Sequence, residues 1–289
     1  MSQLTRPMSG HFRRRKLMDR TMTVVAYACA LLALIPLTWI VVYVLIQGLS
    51  AWNLRFFTHL PTTFEAGGVR SGIFGTLEVV GLSVLIGVPM GVMAGIYLAE
   101  YGNNWFGAVV RFTADTMTGV PSIVVGLFVY GLVVLNTGGA YSAFAGAISL
   151  SILMIPIITR TTEEIIRLVP GSISEASLAL GVPRWKTIMR VVVPTALSGI
   201  ITGVFLSIAR VAGETAPLIM TIFGTTTSIS PNIFDGPTTT LSLLVYQLGG
   251  ASLPEVVKVA WGGALLLIIL IFGLSLVARV LFKGGGTKF

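Results

Sequence analysis

The sequence predicts an all-α fold, a polytopic membrane bundle of six transmembrane helices with both termini in the cytoplasm, and three observations lead there. The first is composition: of 289 residues 54% are hydrophobic and 10% charged, whereas a soluble domain carries roughly 25% charged residues; the mean hydropathy is +0.91. The second is the recurrence of apolar runs of about 20 residues or more, the length that matches a hydrocarbon core ~30 Å thick. None alternates apolar with polar, and all far exceed the ~9–11 residues of a barrel strand, so helices rather than strands are expected. The third is charge placement. Of the 19 basic residues, 15 fall in the N-terminal segment, the 99–115 and 160–190 connections and the tail, against three (Arg55, Arg70, Lys258) on the other side; basic residues mark the cytoplasmic face.

Taken in order, residues 1–20 form a basic N-terminal segment holding Arg6, Arg13, Arg14, Arg15, Lys16 and Arg20. A transmembrane domain over 21–283 follows, with a 284–289 tail. Its first run, Thr21 to Gly48, spans 28 residues, about twice the core of a signal peptide, so it is expected to persist as a span. Cys29 stands alone, which excludes an internal disulfide and a cysteine-based metal site. The second run, Gly72 to Leu98, carries Glu78 near its outer end, within snorkelling reach of water, and two overlapping Gly-x-x-x-Gly units at Gly87, Gly91 and Gly95. The third is Thr116 to Leu135, the fourth Tyr141 to Thr159, the fifth Val191 to about Phe223 with Gly199 and Gly203 spaced the same way, and the sixth Val259 to Ala278. Small faces let helices approach closely, and Pro89, Pro121, Pro156 and Pro217 weaken backbone bonding locally where neighbours compensate. Both features suit a bundle that moves; both also suit plain packing. Between the last two runs, "TTTLSLLVYQLGG" (238–250) is too short to cross and predicts a re-entrant or gate-like helix.

The net charge of +8 is accounted for by this one-sided bias. With no folded basic domain to carry it, nucleic acid is not an expected partner; membrane lipid is.

The 160–190 connection is the most basic between spans and contains "SISEASLALGVPRWKTIMRVVVP" (172–194). Ser172 followed three residues later by Glu175 has the form of a capping box. Gly181 supplies a left-handed stop and Pro183 a new start, so a two-turn helix over 173–180 is expected, exposing Glu175. From spacing alone this is either a knob for another protein to grip or an amphipathic loop resting on anionic lipid. "GVPRWKT" (181–187) imitates a phosphate-binding loop, but Trp185 stands where its second glycine belongs and no strand precedes it. ATP binding is therefore not expected of this chain.

The same stretch resembles the cytoplasmic loop of ABC importer permeases: Glu-Ala-Ala, three residues, Gly, nine residues, then Ile-x-Leu-Pro. Here Glu175, Ala176 and Ser177, then Gly181, then Val191, Val193 and Pro194 follow at that spacing, with Ser177 in place of the second Ala. Together with "GGVRSGIFGTL" (67–77), "GVPMGVMAGIYLAEY" (87–101), "GVPSIVVGLFVYG" (119–131), "IITRTTEEI" (157–165) and "ARVAGETAPLIMT" (209–221), the chain resembles the PstA-type permease family of phosphate-specific ABC importers. The resemblance implies a type I ABC importer permease fold in the bacterial plasma membrane. It implies ATPase coupling through Glu175, Ala176, Ser177, Gly181 and Pro194, and a path assembled with a PstC-like sister permease. Two PstB-like ATPase subunits, which use ATP and Mg, and a PstS-like periplasmic phosphate-binding protein complete the implied assembly. The chain itself is then a transporter subunit, neither an enzyme nor the holder of a cofactor.

Two charges inside the fifth run, Arg210 and Glu214, lie four residues apart. An intramembrane charge costs at least about 2.5 kcal/mol and normally faces the bundle interior, as a paired site or along a pathway. One reading is a structural ion pair. In the other, the guanidinium of Arg210 offers phosphate a planar donor fork while Glu214 keeps the anion from binding too tightly. The resemblance adds Arg160 as a second arginine along the path. Residues alone leave open an importer of another oxyanion, sulfate or molybdate, and a self-sufficient secondary phosphate transporter; the latter usually carries several intramembrane carboxylates for its coupling ion.

Overall fold

A computed structural model describes residues 10–62, 67–224 and 232–282. Among these the regular elements are helical, and the one β-feature is an isolated bridge between Phe223 and Thr238. The chain divides into two compact units, Met1–Gln47 and Gly48–Phe289.

The first unit is carried by helix α1 (Gly10–Leu49), which runs through Pro36 without ending. It begins well before the apolar run, so Arg14 to Arg20 occupy its early turns. Leu31, Leu34, Ile35, Trp39 and Ile46 are all exposed, an all-round apolar surface suited to a lipid environment.

The second unit opens with a short α2 (Leu54–Thr58) and is built around α3 (Arg70–Glu100) and α6 (Ala143–Arg167). Lipid is as apolar as leucine, so close packing and interhelical hydrogen bonds must hold two membrane helices together. Glycine permits the approach. A Cβ added at Gly87 would lie 3.3 Å from Met154 Cβ, one at Gly91 2.8 Å from Ile158 Cβ, and one at Gly95 2.5 Å from Thr162 Cβ. Hydroxyls of α6 then reach across: Ser151 Oγ donates to the carbonyl of Ser83 at 3.2 Å and Thr159 Oγ1 to that of Gly91 at 3.3 Å. The helix α6 is the most buried of the long apolar helices.

The other elements surround this pair. Between α3 and α6 come α4 (Trp105–Gly119) and α5 (Ser122–Val129), the latter prolonged by a π-turn at Tyr130–Val134 and a 3₁₀ turn to Thr137. The expected third span is thus not a continuous helix: its first residues belong to α4, and α4 and α5 meet at 105°. Pro121 disfavours the α conformation at the residue before it, and Val120 is accordingly extended, with ψ 130°.

After α6 the chain forms α7 (Gly171–Ala179) and α8 (Arg184–Thr187); α8 leads through a π-turn at Ile188–Val192 into α9 (Val193–Ala212). Pro194 has no N–H to continue a regular ladder, and the wider turn sits just before it. Helix α9 packs on α6 through Gly199 and Gly203, where an added Cβ would lie 2.6 Å from Ile165 Cγ2 and 2.9 Å from Thr161 Oγ1.

The fifth apolar run also breaks earlier than expected. Helix α9 stops at Ala212, Gly213 to Thr215 are non-helical, and a short α10 (Ala216–Thr221) follows. The expected re-entrant segment is α11 (Leu241–Gly249), its N-terminus capped by Thr240 and its Leu241, Leu243 and Leu244 buried. The last helix is α12 (Pro254–Phe282). Among the described residues five helices are long and apolar enough to cross a membrane, or six crossings if the bent α4–α5 pair is one.

The glycine contacts make a graded prediction. Gly91→Leu should destabilise the protein by about 1–3 kcal/mol through overpacking. Gly81→Leu, on the same helix but with nothing within 4 Å of an added Cβ, should leave stability unchanged. Thermal unfolding of the two variants in one detergent measures the difference, and equal melting temperatures would contradict the packing account.

Candidate functional site

Residues 160–167 of the expected connection continue α6, and the rest of it folds into a knob. Helix α7 begins directly after Pro170, which serves as its N-cap, with no side-chain cap bond. Ser172 is therefore inside the first turn, and the expected Ser172–Glu175 capping box does not form: the proline sets the start two residues earlier than the serine would. Gly181 does adopt the left-handed conformation, φ 80°, where a side chain is disfavoured, and Pro183 caps α8.

Of the residues expected to meet an ATPase, Glu175, Ala176, Gly181 and Pro194 are exposed. Ser177 is not. It is buried and its hydroxyl meets that of Thr187, also buried, at 2.9 Å, so it ties α7 to α8 from inside. Around them Leu178, Leu180, Trp185 and Met189 are exposed, Leu180 at 84%.

The knob is fastened to the rest of the second unit at one corner. Arg184 Nη2 donates to the carbonyl of Glu100 and lies 3.9 Å from that residue's carboxylate. Its guanidinium also stands 4.9 Å above the ring of Tyr101. The corner is where α3 turns into α4.

Arg160 sits in a cluster that the sequence reading did not assemble. At its centre is Glu163, 1% exposed. One oxygen, Oε1, accepts from Arg111 Nε at 2.6 Å and lies 2.7 Å from Arg167 Nη2; the other, Oε2, accepts from Arg160 Nη1 at 2.9 Å. Arg160 Nε is 2.9 Å from Asp115 Oδ1. Arg111 also donates from Nη1 to the carbonyl of Gly102, at 2.9 Å, and from Nη2 to that of Leu98, at 2.8 Å. A buried carboxylate is tolerable only when paired and hydrogen-bonded, and three arginines supply that. A sequence signal was available: Arg160, Glu163 and Arg167 fall at helical i, i+3 and i+7, and Arg111 and Asp115 at i and i+4.

Arg210 and Glu214 are brought together but not on one helical face, because Glu214 lies beyond the end of α9. The closest approach is 3.7 Å, with the Arg210 side chain 58% exposed and that of Glu214 18%. Arg210 occupies the last turn of α9, where the helix dipole favours a cation. The backbone carbonyl of Glu214 accepts from Ser242 Oγ at 2.9 Å, linking this break to α11. One turn back from Arg210, Leu206 lines a groove of about 340 Å³ between α6 and α9 that Thr161, Glu164, Ser198 and Thr202 also border. Arg160 and Arg210 thus stand in separate clusters. Among the described residues no group of three or more His, Cys, Asp or Glu side chains is placed to hold a metal ion.

Residues 87–284 match the family described as binding-protein-dependent transport system inner membrane component. The chain is 43% identical over 272 residues to the phosphate transport system permease protein PstA of Xylella fastidiosa, spanning 93% of this chain and 94% of that protein. To PstA 1 of Mycobacterium tuberculosis it is 42% identical over 275 residues, 93% of this chain and 90% of the relative. Among solved structures, a chain of a bacterial alginate ABC transporter aligns with a TM-score of 0.66 at 17% identity, over 93% of this chain and 98% of that one. A chain of the inward-facing MetNI methionine ABC transporter aligns at 0.62 and 18% identity, over 75% and 95%. At such identities the likeness is of fold alone.

The Ser177–Thr187 tie has a measurable consequence. Ser177→Ala leaves the buried Thr187 hydroxyl unpaired, a cost of about 1–3 kcal/mol, concentrated in the knob. Hydrogen exchange should show faster exchange across 171–187 with α3 and α6 unchanged. Unchanged exchange in the knob would remove the structural role given to Ser177.

Proposed function

The chain belongs to the family of binding-protein-dependent transport system inner membrane components, and on that premise we propose that it is the membrane-spanning permease subunit of an ATP-driven phosphate importer. In this reading it forms the translocation path with a sister permease in the bacterial plasma membrane, as a multi-pass protein with both termini inside. Two copies of a separate ATPase subunit supply ATP and Mg chemistry, and a periplasmic binding protein delivers phosphate.

The observation that carries the cargo is the identity of 43% along 93% of the chain to a permease named for phosphate transport. Geometry supports the mode of action. The knob puts a carboxylate and large apolar side chains, Leu178, Leu180 and Trp185, in the open on a loop between spans; apolar anchors beside a charge are what a protein partner buries. Its attachment through Arg184 to the α3–α4 corner gives a displaced knob something to move. The half-exposed guanidinium of Arg210, loosely paired, retains donors for an anion in a way that a tightly bonded structural pair would not.

Two outcomes are expected of a reconstituted complex. Glu175→Lys, which reverses the exposed charge, and Gly181→Leu, which strains the left-handed turn, should leave the chain inserted but lower phosphate uptake at least tenfold by weakening ATPase attachment. Wild-type uptake with full ATPase co-purification in both variants would sink the coupling role.

At the second site, Arg210→Gln should abolish uptake while ATP hydrolysis and assembly persist, and Arg210→Lys should restore little, since the fork is lost. Combining Arg210→Glu with Glu214→Arg decides between path and ion pair: restored uptake in the swapped protein means that only the pair matters.

A further inference from the structure

The Glu163 cluster has the layout of a lever. Arg111 is bonded at once to two carbonyls at the end of α3 and to the buried Glu163 of α6, so α4 is held to both neighbours at that residue. On one side of this point lies the α3–α4 corner, gripped from the knob by Arg184 through Glu100 and Tyr101. On the other side, one helical turn along α4, lies Asp115, whose side chain is 57% exposed and whose carboxylate is 2.9 Å from Arg160 Nε. Arg160 Nη1 is meanwhile fixed by Glu163.

The guanidinium of Arg160 thus donates from Nη1 to Glu163, while its Nε faces Asp115 in an ion pair without an in-line hydrogen bond. A tetrahedral oxyanion is best held by two parallel donors, and the Nε–Nη2 edge is such a fork. Asp115 crowds it. The cluster as a whole sets three arginines against two carboxylates, so removing Asp115 from the fork leaves an excess of positive charge at the point where the edge opens.

We propose that Asp115 is a built-in competitor for the transported anion at Arg160: its negative charge crowds the arginine fork, 2.9 Å from Nε, and is withdrawn when α4 tilts about Arg111 under a push from the knob. Arg111 and Glu163 are then positioning residues, and the anion affinity of the inner arginine follows the ATPase cycle. This rests on the permease reading and on Arg160 facing the path. It gives the buried cluster a role in release: a returning Asp115 displaces the anion into the cell.

The test is equilibrium binding of radiolabelled inorganic phosphate to the purified permease–ATPase complex without nucleotide, alongside uptake and ATP hydrolysis in vesicles. Asp115→Asn, close in shape and neutral, should bind phosphate at least tenfold more tightly than wild type and turn over more slowly, with ATP hydrolysis retained. Asp115→Glu, which keeps the charge, should bind as weakly as wild type. The gain should vanish in Asp115→Asn/Arg160→Gln. In wild type, binding should change with nucleotide, and Arg184→Ala should lose that dependence. No gain in Asp115→Asn, or a gain that survives loss of Arg160, overturns the proposal. Failure of wild-type vesicles to accumulate phosphate, with sulfate or molybdate taken up instead, would overturn the cargo reading separately and direct the same binding assay to that anion.

Discussion

The close approach of α3 and α6 is the contact from which the second unit is built. With no hydrophobic force between helices in lipid, stability there depends on short separations and on hydrogen bonds between backbones and hydroxyls, and Gly87, Gly91 and Gly95 supply the separation. Once α6 is fixed, its other faces organise the remainder. Gly199 and Gly203 seat α9 on Ile165 and Thr161, while Gly146 receives Ile222 from just beyond α10. Glu163 draws in α4 through Arg111. The same helix thus holds a packing seam, a groove and a buried carboxylate, which is why three different kinds of interaction meet within residues 158–167.

Much of this architecture was legible because membrane constraints are strong and local. Apolar length and small-residue spacing each act within one segment, so the runs at 72–98 and 259–278 and most of that at 141–159 appear as helices. The left-handed Gly181 was legible for the same reason. The misses have a common physical origin in neighbouring backbone. Hydropathy does not register that Pro121 turns the chain by 105°, because the residues on both sides stay apolar. It likewise continues through Gly213, although the helix ends at Ala212. The Ser172–Glu175 spacing fitted a cap, but Pro170 had already begun the helix. Ser177 is expected at a contact through its place in the Glu-Ala-Ala pattern; its burial depends on Thr187, ten residues away.

The two arginines assigned to the path differ in kind, which spacing could not reveal. Arg160 is held by two carboxylates at 2.9 Å; Arg210 has one partner at 3.7 Å and most of its side chain exposed. The last-turn position of Arg210 offsets some of its cost through the helix dipole, typically about 0.3–1 kcal/mol, less than the ~2.5 kcal/mol or more of an isolated charge at membrane depth. The loose pair with Glu214, water or another chain has to supply the remainder. So loose a pair suits the path proposed for Arg210 better than a tight lock within the subunit.

A similar accounting bears on the knob, which spacing left divided between protein and lipid. Adhesion to an anionic surface gains about 1 kcal/mol for each Lys or Arg near it. Of the five basic residues between 160 and 190, Arg160 and Arg167 are committed to Glu163 and Asp115, and Arg184 to Glu100 and Tyr101. Only Lys186 and Arg190 remain, and the exposed Glu164 and Glu175 oppose them. The electrostatic attraction that a lipid-resting loop requires is therefore largely spent inside the fold. What the knob still presents is a near balance of charge, Glu175 against Lys186 and Arg190, among bare apolar side chains, a surface with little net attraction to anionic headgroups and suited to the protein partner proposed above.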